Sequence, residues 1–484
     1  MASIDNNSSE ESGPVSGGLM VLICLLFFVL AGGVALLRYW RFGQPLGLDN
    51  AYFFQRVWQS VFLDEPHRTL LNTEMGQGLI SGRHFEPCLI LFRPVVAVLP
   101  RMESLLLAQV AIISAGGFGA FLLAKRFVHD NATALMLGTV WLIMPGLWTL
   151  GVHDFRTLAI AAPFVVLAHA ALVAGRPIST AIFTLLALSC REEVVLLFGA
   201  SIPAVWFCAK RQRREVVIST ICCLLWVGVI TLGHENRGGF ISPSEFIGGV
   251  SGAFVGSNLS ADGVWVGLAR ELGGGIGAGI LAPLTLLPIL ANGMGVVATG
   301  ELNDSNAVRL FSVAFGTMAL VVALGFGGLR VLCHRTMTVA RANWLLRVSA
   351  LGLLLWNGAA LWRVFGGDIV ESVQVVKGEV RPTNFTDSPW ELLLSAPSNQ
   401  PILTEEAFAP MLADRPELYV SDDWRSEGAF GRVQLHVNVA LFRPGHPWVR
   451  RLLNEGFVVT REVHGAVLLQ REEPAPALPP LMPL

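Results

Sequence analysis

Charge is scarce in this sequence. Only 14% of its 484 residues are Asp, Glu, Lys or Arg, where a soluble globular domain carries about 25%. Sustained over such a length, that deficit excludes a soluble enzyme, a disordered chain and a secreted disulfide scaffold. Paired cysteines are lacking too. The seven, at 24, 88, 190, 208, 222, 223 and 333, form no CxxC pair, and none falls in the polar C-terminal region. They read as small hydrophobes. Neither sign of charge dominates: 34 Lys+Arg against 36 Asp+Glu leave a net −2, so nothing in the balance favours nucleic acid. There is no P-loop, GxGxxG unit, HExxH motif or solenoid period. Residues 1–17 are polar and acidic and lack the basic n-region of a cleaved signal peptide.

What is present is apolar: 53% hydrophobic residues and a mean hydropathy of +0.58. Glycine (50) and proline (26) are frequent, as membrane helices tolerate. A polytopic helical membrane protein is expected. Residues 18–37 supply a first uncleaved membrane pass. Ala51, Phe54, Trp58 and Val61 then mark an amphipathic helix, expected to lie on the membrane surface. Residues 87–100 are apolar but short, as an interfacial or re-entrant segment would be. Further apolar runs cover 104–124, 132–152, 157–174, 177–190, 194–209, 216–232, 273–290, 307–329 and 344–365.

Basic clusters at Lys125/Arg126, Arg176, Lys210/Arg211/Arg213/Arg214 and Arg330/Arg335/Arg341 set the sidedness. By the positive-inside rule they face the cytoplasm, which places Asp49, His84, His153 and Arg191 on the outer side. Runs 177–190 and 194–209 become the arms of a hairpin with Arg191-Glu192-Glu193 at its bend. The run 273–290 must then enter and leave, or lie flat.

From residue 366 the spans stop. Strand-like runs occur at 417–420, 437–442, 457–460 and 467–470, the last two separated by a turn at Gly465. His446 to Glu455 places Trp448, Leu452 and Leu453 on one side of a helix that Gly456 would stop. The expected organisation is a polar tail at 1–17, then a transmembrane domain at 18–365 with a first outer loop at 38–86. An α/β domain at 366–473 and a Pro-rich tail at 474–484 follow.

Charge at membrane depth costs roughly 2.5–3.5 kcal/mol per group, so its persistence points to function. Four clusters qualify: Leu48-Asp49-Asn50, Arg83-His84-Phe85-Glu86, His153-Asp154-Phe155-Arg156 and Arg191-Glu192-Glu193. Converging among apolar walls, they would line a water-filled cavity. Such a cavity suits transfer from a lipid phosphate. Arg83, Arg156 and Arg191 could hold the phosphate through their guanidinium forks, and Asp49 could accept the proton of an attacking hydroxyl. Glu86, Asp154, Glu192 or Glu193 could orient a sugar, or hold a divalent metal with His84 and His153. Plainer readings stand beside these. Asp49 could cap the helix that follows it, Asp154–Arg156 could be an interfacial turn, and Arg191 could simply neutralise its two glutamates. Trp58 and Trp148 read as interfacial anchors.

The order of motifs resembles the bacterial and archaeal membrane family called domain of unknown function 2079, grouped with the GT-C superfamily of integral-membrane glycosyltransferases. The matching pieces are Asp49 with Gln55 and Trp58, His84-Phe85-Glu86-Pro87, Leu105-Leu106 with Gln109, Asp154-Phe155-Arg156, Arg191-Glu192-Glu193, and 401–420 with Ala413-Asp414-Arg415. Where the family tends to carry a His after the third motif's Phe, this chain has Arg156. Where it tends to carry Lys-Glu-Asp, this chain has Arg191-Glu192-Glu193. Charge is kept at the second site and histidine chemistry is lost at the first.

The resemblance implies a mainly α, GT-C-like transmembrane helix bundle with a small C-terminal α/β extracytoplasmic domain, in a bacterial or archaeal plasma membrane. It implies sugar transfer from a polyprenyl-phosphate donor on the outer face, with Asp49 activating the acceptor. Membrane lipids are the other expected partners, and no cofactor is demanded. The rival classes are a transporter or lipid-handling protein using the same cavity, and a non-catalytic scaffold.

Overall fold

The computed structural model describes residues 14–40, 48–63, 85–152, 154–191, 194–208, 210–235, 304–376, 392, 396–397, 400, 402–405, 408–414, 418–420, 437–463 and 466–471. The apolar run 273–290, the turn at Gly465, residues 1–13 and the tail 474–484 lie outside the described residues, while Pro14 to Gly17, expected in the polar tail, already belong to the first helix. Contacts group the chain into two compact units. The first comprises Met1–Gly32, Gln109–Gly151 and Thr157–Ile369, the second Gly33–Ala108, Val152–Arg156 and Val370–Leu484.

Apolar runs of membrane length become helices because a helix satisfies every backbone hydrogen bond within itself. Among the described residues, four helical stretches are long and apolar enough to cross a membrane: Ser16–Trp40 in α1 (Pro14–Trp40), α4 (Met102–Val128), Met318–Thr336 in α11 (Asp304–Thr336) and Val339–Gln374 in α12 (Val339–Val376). The run expected at 132–152 is not one straight span. It divides into α5 (Asn131–Leu142) and α6 (Pro145–Val152), bent by 49°. Pro145 is the cause, since it offers no N–H to a preceding turn and disfavours helical geometry at Met144.

The first unit also holds α7 (Thr157–Val173), α8 (Pro177–Leu188), α9 (Val194–Cys208) and α10 (Arg213–Glu235). Helix α7 packs against α8 and α11, and α10 against α8 and α9. Glycines let α4 approach its neighbours. A Cβ on Gly116 would collide with the Trp141 indole and come within 2.7 Å of Pro163, and one on Gly117 would meet the Leu142 side chain at 2.5 Å.

Several buried polar side chains inside this unit are matched to backbone or to one another. Gln109 is fully buried and donates to the carbonyls of Leu150 and Gly151 at 3.1 and 3.3 Å, groups that the end of α6 leaves without helical partners. Ser201 donates to the Phe198 carbonyl, so its oxygen accepts from His169 Nε2 at 2.8 Å. That assigns the imidazole tautomer from its network. Trp148 is a core residue rather than an interfacial anchor: it is 2% exposed, meets Phe27 edge-on and donates to the Leu142 carbonyl.

The second unit contains the end of α1, helix α2 (Leu48–Phe62), a tight 3-10 segment Pro87–Phe92 running into α3 (Arg93–Val98), and a five-stranded sheet. The sheet order is β2-β1-β3-β5-β4, with β1 (Ile402–Thr404), β2 (Leu418–Val420), β3 (Val439–Phe442), β4 (Phe457–Val463) and β5 (Ala466–Arg471). Strands β2, β1 and β3 run parallel, while β3–β5 and β5–β4 are antiparallel. The short helix α13 (Ala409–Leu412) follows β1.

Helix α14 (Pro447–Asn454) forms as its sequence foretells. His446 caps its N-terminus, Pro447 opens it, and Gly456 ends it at φ +87°, where a side chain would be strained. Leu452 of α14 joins Leu403, Phe442, Phe457 and Leu469 in the core, with Trp448 against it. At the carboxyl ends of β1 and β3, the buried Glu405 carboxylate accepts from the Arg443 backbone N–H at 3.1 Å and its Nε at 2.9 Å.

Candidate active site

Helix α2 carries aromatics at 52, 53, 54, 58 and 62, with Asn50 before them and Gln55, Arg56 and Gln59 among them. All four polar residues are buried, at 4% exposure or less. The helix is therefore enclosed by protein, packing on α3 and α13, rather than lying bare on a surface as its amphipathic pattern led one to expect. Burying amides and a guanidinium is unfavourable unless each finds a partner, and the partners it finds bring several of the expected motifs together.

Asn50 uses both ends of its amide. Its Oδ1 accepts from the Phe155 backbone N–H at 2.6 Å, and its Nδ2 donates to Asp154 Oδ1 at 3.2 Å. The other Asp154 oxygen takes Arg156 Nη2 at 3.0 Å. The Phe155 ring is fully buried between Phe53 and Phe92, edge-on to both at 5.6 and 5.0 Å. One residue thus anchors the 154–156 turn while its two neighbours keep their charged groups at 12% and 14% exposure, partly open to solvent.

A second pair starts from the same helix. Arg56 donates to Glu86 Oε2 at 2.7 Å, with both side chains 2% exposed, and its guanidinium sits 4.8 Å above the Tyr52 ring. Near the end of α1, Trp40 Nε1 donates to Glu103 Oε1 at 3.2 Å. Tyr39 is 3% exposed and lies within electrostatic reach of Glu103, Asp414 and Arg101.

The expected site residues therefore divide. Asp154 and Arg156 share a cluster with Asn50. Asp49 belongs to the first turn of α2, inside the helix rather than ahead of it, and directly precedes Asn50. Glu86 is engaged by Arg56. Arg191 is half-buried and belongs to the first unit. Arg83, His84, His153, Glu192 and Glu193 lie outside the described residues. Among the described residues, no group of three or more His, Cys, Asp or Glu side chains is close enough to hold a metal. Sequence reasoning overlooked Arg56, Trp40 and Glu103. The available signal for Arg56 was a lone cation in an aromatic-rich helix, with Glu86 next to a proline.

The fold is that of a polytopic helical membrane protein of GT-C-like architecture. Residues 45–236, reaching from before α2 to the end of α10, match the family described as predicted membrane protein DUF2079. The chain is similar to the crystal structure of ArnT from Cupriavidus metallidurans bound to undecaprenyl phosphate, with a TM-score of 0.51 and 14% identity. That match covers 93% of this chain and 97% of the other. It is similar also to the same protein in the apo state, with a TM-score of 0.53, 11% identity and the same coverage. At these identities the likeness is one of fold. No curated protein matches the sequence.

Proposed function

We propose that this chain is an integral-membrane glycosyltransferase of the GT-C type, transferring sugar from a polyprenyl-phosphate donor to an acceptor hydroxyl outside the membrane. The observation that carries this reading is the Asn50–Asp154–Arg156 cluster beside Asp49, a partly exposed carboxylate and guanidinium held by a buried amide. The ArnT structure holding undecaprenyl phosphate supports a polyprenyl phosphate as the lipid.

In this mechanism Asp49 takes the acceptor's hydroxyl proton as its oxygen attacks the anomeric carbon. The bond from that carbon to the phosphate oxygen breaks, and the electron pair leaves with the polyprenyl phosphate. Arg156, with Arg83, offsets the charge that develops there. A single base and a lipid-phosphate leaving group give inversion at the anomeric centre. His84, His153 and Asp154 line the donor and acceptor sites. The reading places the transmembrane domain at 18–365, with its first outer loop at 38–86. The sheet domain at 366–473 then stands on the extracytoplasmic side of a bacterial or archaeal plasma membrane, in a cell-envelope pathway.

The test supplies membranes containing the protein with a labelled lipid-linked sugar donor. Asp49→Asn should lower transfer by about 10²–10⁴-fold without loss of folded protein. Full transfer by Asp49→Asn would remove Asp49 from the mechanism, and solute flux into vesicles without donor sugar would replace the proposal with a transporter.

A further inference from the structure

A second polar cluster lies wholly within the first unit, where the ends of α4 and α11 meet. Gly327 permits the approach: a Cβ there would stand 3.0 Å from Phe127 Cβ. Gly327, Arg330 and His334 follow one another at helical spacing on the face of α11 turned to α4. Arg126 and His129 stand opposite at the end of α4. His129 adopts φ +55°, a left-handed conformation uncommon for a side-chain-bearing residue. Burial, Arg330 and Arg126 hold its imidazole below the ordinary 6.5, so the two guanidiniums act on one point from different helices.

This corner gathers positive charge without answering it. Arg126, Arg330 and Arg335 form no ion pair among the described residues. Asp130, the acid adjoining His129, is engaged by Arg347 at 2.8 Å and by the Thr133 hydroxyl at 2.6 Å. Arg330 Nε and His334 Nε2 are buried with no hydrogen-bond partner. Such donors are costly to leave unmade. Beside them, Leu122, Val331 and Leu332 are 37%, 50% and 56% exposed, an apolar surface that a water-borne ion would not use.

We infer that this corner binds the headgroup phosphate of an acidic phospholipid, with Arg126 and Arg330 holding the phosphate, His334 donating, and Leu122, Val331 and Leu332 seating an acyl chain. Basic pockets between helices at the cytoplasmic rim suit such headgroups, and the positive-inside rule assigns these clusters to that rim. The site is independent of the glycosyl-transfer reading.

The full chain, purified in detergent, is titrated with phosphatidylglycerol, phosphatidylcholine and inorganic phosphate, with retained lipid counted by native mass spectrometry. Wild type should keep phosphatidylglycerol in preference to phosphatidylcholine. Arg126→Gln with Arg330→Gln should weaken its apparent affinity about thirtyfold, Arg330→Lys should restore part of it, and Arg214→Gln, in a separate basic cluster, should change nothing. Equal retention of both lipids by wild type overturns the inference even if the double variant fails to fold. So does displacement of the lipid by millimolar inorganic phosphate, which would mark a free-anion site.

Discussion

Replacing Glu86 with Gln would leave the Arg56 guanidinium buried with its nearest carboxylate gone. The two groups sit 2.7 Å apart with 2% of each side chain exposed, so neither water nor salt can substitute for the missing partner. Breaking a pair of this kind costs about 3–5 kcal/mol, whereas replacing both members with apolar or neutral groups is often close to neutral. For a body of roughly 200 residues, each kcal/mol moves the melting midpoint by about 2–4 °C. Glu86→Gln should therefore melt about 10 °C below wild type in a fixed detergent. Arg56→Met should cost a similar amount, because it strands the Glu86 carboxylate at 2% exposure although an aliphatic stem is kept against Tyr52. Combining the two should recover stability relative to Glu86→Gln alone, with a coupling of about 2 kcal/mol or more. Circular dichroism at fixed heating rate on all four forms reads this out. Strictly additive shifts, or a double variant weaker than Glu86→Gln, would refute the view that the pair holds α2 in place.

Two further outcomes follow from the first unit. Asp130 caps α5 and bonds Arg347; burial opposes its charge, but the Arg347 and Thr133 hydrogen bonds outweigh that and hold its carboxyl below the ordinary 3.8. Its folded value lies beneath its unfolded one, so its stabilisation is present above about pH 4 and lost as pH falls through the lowered value. Asp130→Ala should cost about 1–2 kcal/mol at neutral pH and flatten that acid loss in a melting-versus-pH series. Gly116→Ala should destabilise by about 1–3 kcal/mol through overpacking against Trp141 and Pro163, seen as a lower midpoint, while the same change at Gly199, where nothing lies within 4 Å, should not.

What could be read in advance was whatever the chain decides locally. The α14 helix announced itself through Trp448, Leu452 and Gly456, whose spacing is a property of one turn after another. The strands near 418–420, 439–442, 457–463 and 466–471 showed in runs of β-formers. Strand β1 escaped because Ile402–Thr404 is three residues long and buried on both faces, leaving no alternation to detect. The bend after Leu142 was written in Pro145 but hidden by uninterrupted hydrophobicity. For the candidate site, the motifs around Asp49 and Asp154 stood out as charge in apolar surroundings. Their union through Asn50 did not, since a contact between residues 104 positions apart leaves no periodic trace. Arg56 drew no attention because the sequence of an amphipathic helix cannot say that Glu86 waits across from it.

The bond between Glu405 and Arg443 bears on what the small sheet can do. In open sheets with parallel strands, the crevice beyond the strand carboxyl ends is where nucleotides and other small ligands are cradled. At the β1/β3 junction that crevice is latched by the protein's own carboxylate and guanidinium, with the Arg443 amide spent in the same clasp. A Rossmann-style visitor would have to prise this latch open, displacing an Arg443 side chain that is itself 65% exposed.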